Sequence, residues 1–140
     1  MDNNKDPNSQ NNEIKEKLKP PKIEDKPFEE FINQHFIPQI KKSLLAKGQE
    51  IDIISLKKDQ RPVVGGECWV VYGEFHSGRR FWITFNSESI KSLKNISLAE
   101  SASEPGFLES FLIDEKKITL QLLTSRFLQR LNGQKWFGDN

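Results

Sequence analysis

The sequence predicts an α+β domain: a small antiparallel sheet of three to four strands, flanked by an N-terminal helix and a long C-terminal helix. Three observations carry this expectation. A helical apolar stripe opens the folding part of the chain, strand-like alternation around a glycine turn fills its middle, and a second helical stripe closes it. The chain has 140 residues, the length of one domain rather than two.

Residues 1–23 read as a disordered N-terminal tail. The first 22, MDNNKDPNSQNNEIKEKLKPPK, hold three apolar side chains, too few to offset the entropy lost on ordering. Residues 24–137 read as the domain. Its first helix is announced by EDKPFEEF, with Asp25 as the N-cap, Pro27 in the first turn, and Glu29 and Glu30 at the positive end of the dipole. Phe28, Phe31, Ile32, His35 and Phe36 share one helical face. Pro38 then removes a backbone donor, and the stripe resumes at Ile37, Ile40 and Leu44, about a third of a turn away. A kink or break is expected there. Lys41, Lys42 and Lys47 suit the carbonyl end, and Gly48 the stop.

Ile51 to Lys58 forms the first expected strand, followed by a loop around Arg61-Pro62 and Gly65-Gly66. Next comes GECWVVYGEFHSGRRFWITFN at 66–86, a hairpin whose register is testable because a slip of one residue exchanges the faces. A two-residue turn at Ser77-Gly78 pairs Phe75 with Arg80 and Glu74 with Phe81, mixing apolar and charged partners. A three-residue turn, His76-Ser77-Gly78 with Gly78 left-handed, pairs Phe75 with Arg79 instead. It gathers Trp69, Val71, Gly73, Phe75, Phe81, Ile83 and Phe85 on a core face. The other face sets Val70 opposite Thr84, Tyr72 opposite Trp82 and Glu74 opposite Arg80. A further strand is expected at Ile96 to Ala99, broken by SEPG at 103–106. Finally, IDEKKITLQLLTSRFLQRLNG reads as one long helix with Leu120, Leu123, Phe127 and Leu131 as its stripe and Gly133 as its stop. Ile118 and Leu122 fall on nearly the opposite side, so this helix is packed on two sides or offers a second contact surface.

Two readings of the outer hairpin face stay open. It is a solvated face stabilised by ordinary cross-strand pairs, or a patch of Tyr72, Arg79, Arg80 and Trp82 that holds a partner, these being residue types enriched where interfaces concentrate binding energy. Trp136 and Phe137, just past the helix stop, offer a second candidate surface or fold back as a lid on the core.

Composition argues against catalysis. The single cysteine, Cys68, excludes an intrachain disulfide and a multi-cysteine zinc site. It reads as a small strand hydrophobe. His35 reads as a core residue of the first helix and His76 as a solvated turn residue, with no spacing that makes a metal site. Gly65-Gly66 lacks the context of a phosphate loop, and Asp114-Glu115 reads as the acidic start of a helix. Neither an enzyme nor a cofactor is expected. With 21 Lys and Arg against 20 Asp and Glu, the net charge of +1 does not favour non-specific nucleic-acid binding. Arginine-flanked aromatics on a sheet do stack on single-stranded bases, but the RNP pattern and the βαββαβ order are missing. No apolar run spans a membrane and no hydrophobic signal region opens the chain.

Three stretches, EDKPFEEFINQHFIPQI at 24–40, GGECWVVYGEF at 65–75 and FLIDEKKITLQLLTSRFLQRLNGQKW at 111–136, together resemble a small cyanobacterial and plastid family. This is the V subunit (NdhV) of the photosynthetic NAD(P)H dehydrogenase-like complex. The resemblance runs in order from about residue 24 to 137. It implies a non-catalytic, cofactor-free peripheral subunit on the cytoplasmic or stromal side of the thylakoid membrane, reaching the membrane only through the complex. Its partners would be the S subunit, the neighbouring iron-sulfur subunit, and ferredoxin, whose electron input it assists. Because ferredoxins are acidic, Arg79 and Arg80, with Lys57, Lys58 and Arg61 at the neighbouring strand end, are the expected basic contact surface, beside Tyr72 and Trp82. The alternative is a free-standing module that binds protein or single-stranded nucleic acid through the same hairpin face.

Overall fold

The computed structural model describes residues 22–138; most of the tail expected at 1–23 lies outside them. The chain enters through a 3-10 turn at Ile23–Asp25 and passes into α1, Phe28–Phe31, with Pro27 as N-cap and no side-chain capping bond. Asp25 therefore sits in the preceding turn and does not cap the helix. A π-helical turn, Ile32–Phe36, follows, and α2 spans Ile37–Ala46 without a break.

The π turn replaces the kink or break expected at Pro38. The Ile37 N–H reaches back five residues to the Ile32 carbonyl. Widening this turn absorbs the missing proline donor and the crowding of its ring against the turn before it. It also rotates α2 so that Ile37, Ile40 and Leu44 face the same core as Phe28, Phe31, Ile32 and Phe36; all seven are buried. His35 ends half-buried beside the Phe31 ring. Gly48 stops the helix as expected, left-handed at φ +73, with Gln49 N–H bonded to the Leu44 carbonyl and Gly48 N–H to that of Leu45.

Five strands then form one antiparallel meander in chain order: β1 Ile51–Gln60, β2 Glu67–Phe75, β3 Arg80–Phe85, β4 Lys94–Ala99 and β5 Glu109–Ser110. The hairpin register matches the three-residue turn. Tyr72 faces Trp82, Glu74 faces Arg80, Phe75 N–H bonds the Arg79 carbonyl, and Gly78 has φ +97. β5 exceeds the three or four strands expected; its two residues follow no alternation and are set by pairing with Asn95 and Ile96.

The last helix, α3, is shorter than expected, running Leu120–Gly133. Residues 113–119 are irregular because Thr119 is the N-cap, its hydroxyl accepting from Leu122 N–H, and Ile118 is buried ahead of the helix. Asp114 and Glu115 thus lie outside it. The acid at the helix start is Glu24, whose Oε2 accepts the Leu120 N–H at 2.8 Å. The stop also moves. Lys135, not Gly133, takes the left-handed cap at φ 64, with Trp136 N–H bonded to the Leu131 carbonyl and Lys135 N–H to that of Asn132. A lysine there is strained by its Cβ, so Lys135→Gly is expected to raise stability by about 1 kcal/mol, read as a higher urea midpoint at unchanged slope.

Both helical segments cover the same face of the sheet. Phe28 packs edge-on against Trp69 and Phe85, and Phe127 lies 4.7 Å from Phe81 between ring centroids. The core is this single interlayer space.

Candidate functional site

The opposite face carries no helix. Along β1, β2 and β3 it presents Ile53, Ser55 and Lys57, then Val70, Tyr72 and Glu74, then Arg80, Trp82 and Thr84. Tyr72 and Trp82 lie side by side at its centre, ring centroids 5.4 Å apart, each half-buried. The Arg80 guanidinium sits 5.4 Å above the Trp82 ring, a cation–π contact that holds the charge over the face. The Tyr72 hydroxyl donates to Glu74 Oε2 at 2.8 Å. Burial, and then that carboxylate, push the Tyr72 phenol above its ordinary pKa, so it stays a neutral donor.

The returning segment after β4 lies against the β4 side of this face, and Val70 and Thr84, at the end of β2 and β3 away from the turn, are buried as well. Ser97 Oγ donates to the Gly106 carbonyl at 3.1 Å, and Arg80 donates to the Ser103 carbonyl. The β1–β3 side keeps Ile53 at 48% exposure beside the aromatic pair. Sequence reasoning did not single out Ile53, because the bulge between Ile51 and Ile53 moves it off the core face.

The expected basic surface is divided. Arg79 and Arg80 point in opposite directions, as neighbours in a strand must. Arg79 turns inward: its Nε donates to Glu100 at 2.9 Å and its guanidinium stacks 5.2 Å from the Trp136 ring. Lys57 and Lys58 pair with Val70 and Trp69, at the end of β2 away from the turn. Lys57 shares the open face, whereas Lys58 crosses to the core side and lies over Trp69 at 5.4 Å. Arg61 is half-buried and ties the β1–β2 loop to Asn86 at 3.1 Å. Among the expected cations, only Arg80 and Lys57 stand with the aromatic pair.

Trp136 is the lid on the core rather than a second contact surface. It is 4% exposed, stands edge-on to Phe75 and donates its indole N–H to Glu100 at 2.8 Å. His76, in the turn, is exposed and meets Asp52 at 3.3 Å. Cys68 is buried, and that burial raises its thiol pKa, so it is a poor nucleophile. Among the described residues, no group of three or more His, Cys, Asp and Glu side chains is placed to hold a metal ion.

Such a face is suited to stacking and to charge-assisted contact. A family model described as a protein of unknown function (DUF2996) matches residues 22–138. No curated protein matches the sequence.

Proposed function

The chain belongs to the DUF2996 family, and we propose that it is a non-catalytic docking subunit that binds a partner protein through the helix-free face of its sheet. One observation carries this reading: the half-buried Tyr72–Trp82 pair with Arg80 stacked on it, on a face that no helix covers. Tyr, Trp and Arg are the side chains whose truncation costs most at interfaces, because they bury large areas with little rotamer freedom to lose. Ile53 and Lys57 extend the patch along β1.

The partner in this proposal is the photosynthetic NAD(P)H dehydrogenase-like complex, at its S subunit and neighbouring iron-sulfur subunit, where the chain assists electron input from ferredoxin. The resemblance of residues 24–40, 65–75 and 111–136 to its V subunit supports that choice. Arg80 and Lys57 then supply the cations for an acidic partner, raising the association rate more than the affinity, while Arg79, Lys58 and Arg61 brace the fold behind them. In this reading the chain lies peripherally on the cytoplasmic or stromal side of the thylakoid membrane and reaches it through the complex. No helix among the described residues is long and apolar enough to cross a membrane.

The test is co-purification of dehydrogenase subunits with the tagged chain from gently solubilised membranes. Binding is expected to be lost with Arg80→Glu/Trp82→Gln and to survive nuclease. Recovery of nuclease-sensitive material instead would support the second reading, single-stranded nucleic acid stacked on the same aromatic face.

A further inference from the structure

The two edges of the sheet differ. β5, at one edge, has two residues, whereas β1, at the other, has ten and pairs only with β2 among the described residues. Long edges are normally blunted by short strands, proline or lysine. The half of β1 from Lys57 to Gln60 is charged, but the half from Ile51 to Leu56 carries Asp52 as its single charge. Apolar side chains line that half on both faces. Ile53 is exposed on the helix-free side, and Ile54 and Leu56, though packed on the core, stay half-buried.

The backbone indicates what fits this edge. Phe75 N–H bonds the Arg79 carbonyl across the hairpin, so the odd-numbered residues of β2 bond to β3 and the even-numbered ones to β1. Ile53, Ser55, Lys57 and Asp59, opposite those even residues, therefore bond inward. The N–H and C=O groups of Ile54, Leu56 and Lys58 point out of the edge, a row that an added extended backbone satisfies. If that backbone is β1 of a second copy, even residues must meet even residues. Setting Ser55 opposite Ser55 pairs Ile54 with Leu56 twice and brings Asp52 beside Lys58 twice. Centring the pair on Leu56 sets Ile54 against Lys58, and centring it on Ile54 sets Asp52 against Leu56. The Ser55 register matches apolar with apolar and acid with base.

We propose that β1 pairs antiparallel with β1 of a second copy about a two-fold axis at Ser55, joining two five-strand sheets into one. Opposite residues share a face, so both helix-free faces lie on the same side. Ser55 is in register with Tyr72, and Tyr72 with Trp82, so one row crosses the joined sheet from one aromatic pair to the other. The pairing holds whatever that face binds.

The test uses the purified full chain with no partner present, which separates it from the docking proposal. Sedimentation equilibrium is expected to show reversible monomer–dimer exchange. Asp52→Lys, which sets lysine beside Lys58 at two places, is expected to weaken the dimer about tenfold, and Asp52→Lys/Lys58→Asp to restore it. In a Cys68→Ser background, Ser55→Cys is expected to form a disulfide-linked dimer under mild oxidation. Opposite residues that exchange no backbone bonds have Cα atoms about 4.5 Å apart, within reach of a disulfide. Ile53→Cys in the same background is expected not to crosslink, because the two copies of residue 53 lie about 13 Å apart along the strands. A folded chain that stays monomeric at every concentration would overturn the proposal. So would a dimer indifferent to Asp52→Lys, or one that Ile53→Cys crosslinks as readily as Ser55→Cys.

Discussion

Replacing Gly73 with alanine is expected to destabilise the protein by about 2–3 kcal/mol, and replacing it with valine by more. A Cβ at Gly73 would lie 2.0 Å from Phe81 Cε2 and 2.3 Å from Cζ. The ring cannot swing aside, because Phe81 is fully buried, with Phe127 at 4.7 Å and Phe75 at 5.9 Å between ring centroids. The sheet thus places its smallest residue directly opposite one of its largest on the core face. Urea denaturation of Gly73→Ala, Phe81→Leu and the double variant tests this. The double variant should be less destabilised than the sum of the singles by about 1–3 kcal/mol. Strict additivity would mean that the two side chains do not compete for the same space.

Glu100→Ala is expected to cost about 2 kcal/mol, because it leaves the buried indole N–H of Trp136 without an acceptor and Arg79 without its carboxylate. Glu100→Gln keeps an acceptor and should cost less. The same carboxylate sets a pH dependence. The indole hydrogen bond, and then Arg79, hold the Glu100 pKa below the ordinary value. The Leu120 N–H does the same for Glu24, and Arg130 for Glu109. These three acids tie down the start, the middle and the end of the C-terminal segment. A carboxylate with a depressed folded-state pKa contributes stability above its unfolded value near 4.3, and that contribution disappears as pH falls through the folded value. Urea midpoints should therefore be flat from pH 7 to about 5 and fall below that. Glu100→Gln should lower the plateau and flatten part of the acid limb. An acid limb unchanged by Glu100→Gln would remove this carboxylate from the account.

The hairpin was legible because its alternatives are costly: a slipped register sets Phe75 against Arg80. Gly48 was legible because a left-handed stop strongly favours glycine. The π turn was legible only as a fault at Pro38, since its remedy depends on both apolar stripes meeting one sheet. The true start of α3 was hidden because Asp114-Glu115 fits a helix start locally, while the acid that serves it comes from Glu24, 96 residues earlier. Its end was hidden because Lys135 adopts a conformation for which glycine is the usual choice. On the helix-free face, Tyr72 and Trp82 could be read from alternation, and the same alternation separates Arg79 from Arg80. Lys57 and Lys58 separate by the same rule. Ile53 could not be placed before the bulge was known, and the inward turn of Trp136 depends on Glu100, 36 residues away.

The most direct test of the docking proposal is to purify the tagged full chain and its Arg80→Glu/Trp82→Gln variant from native membranes, with thermal melts showing that both are folded. Dehydrogenase subunits recovered at equal stoichiometry with the native chain, resistant to nuclease and absent from the variant, are the predicted result. Equal recovery with the folded variant would contradict the assignment of the helix-free face. Absence of dehydrogenase subunits from both would contradict the proposed partner.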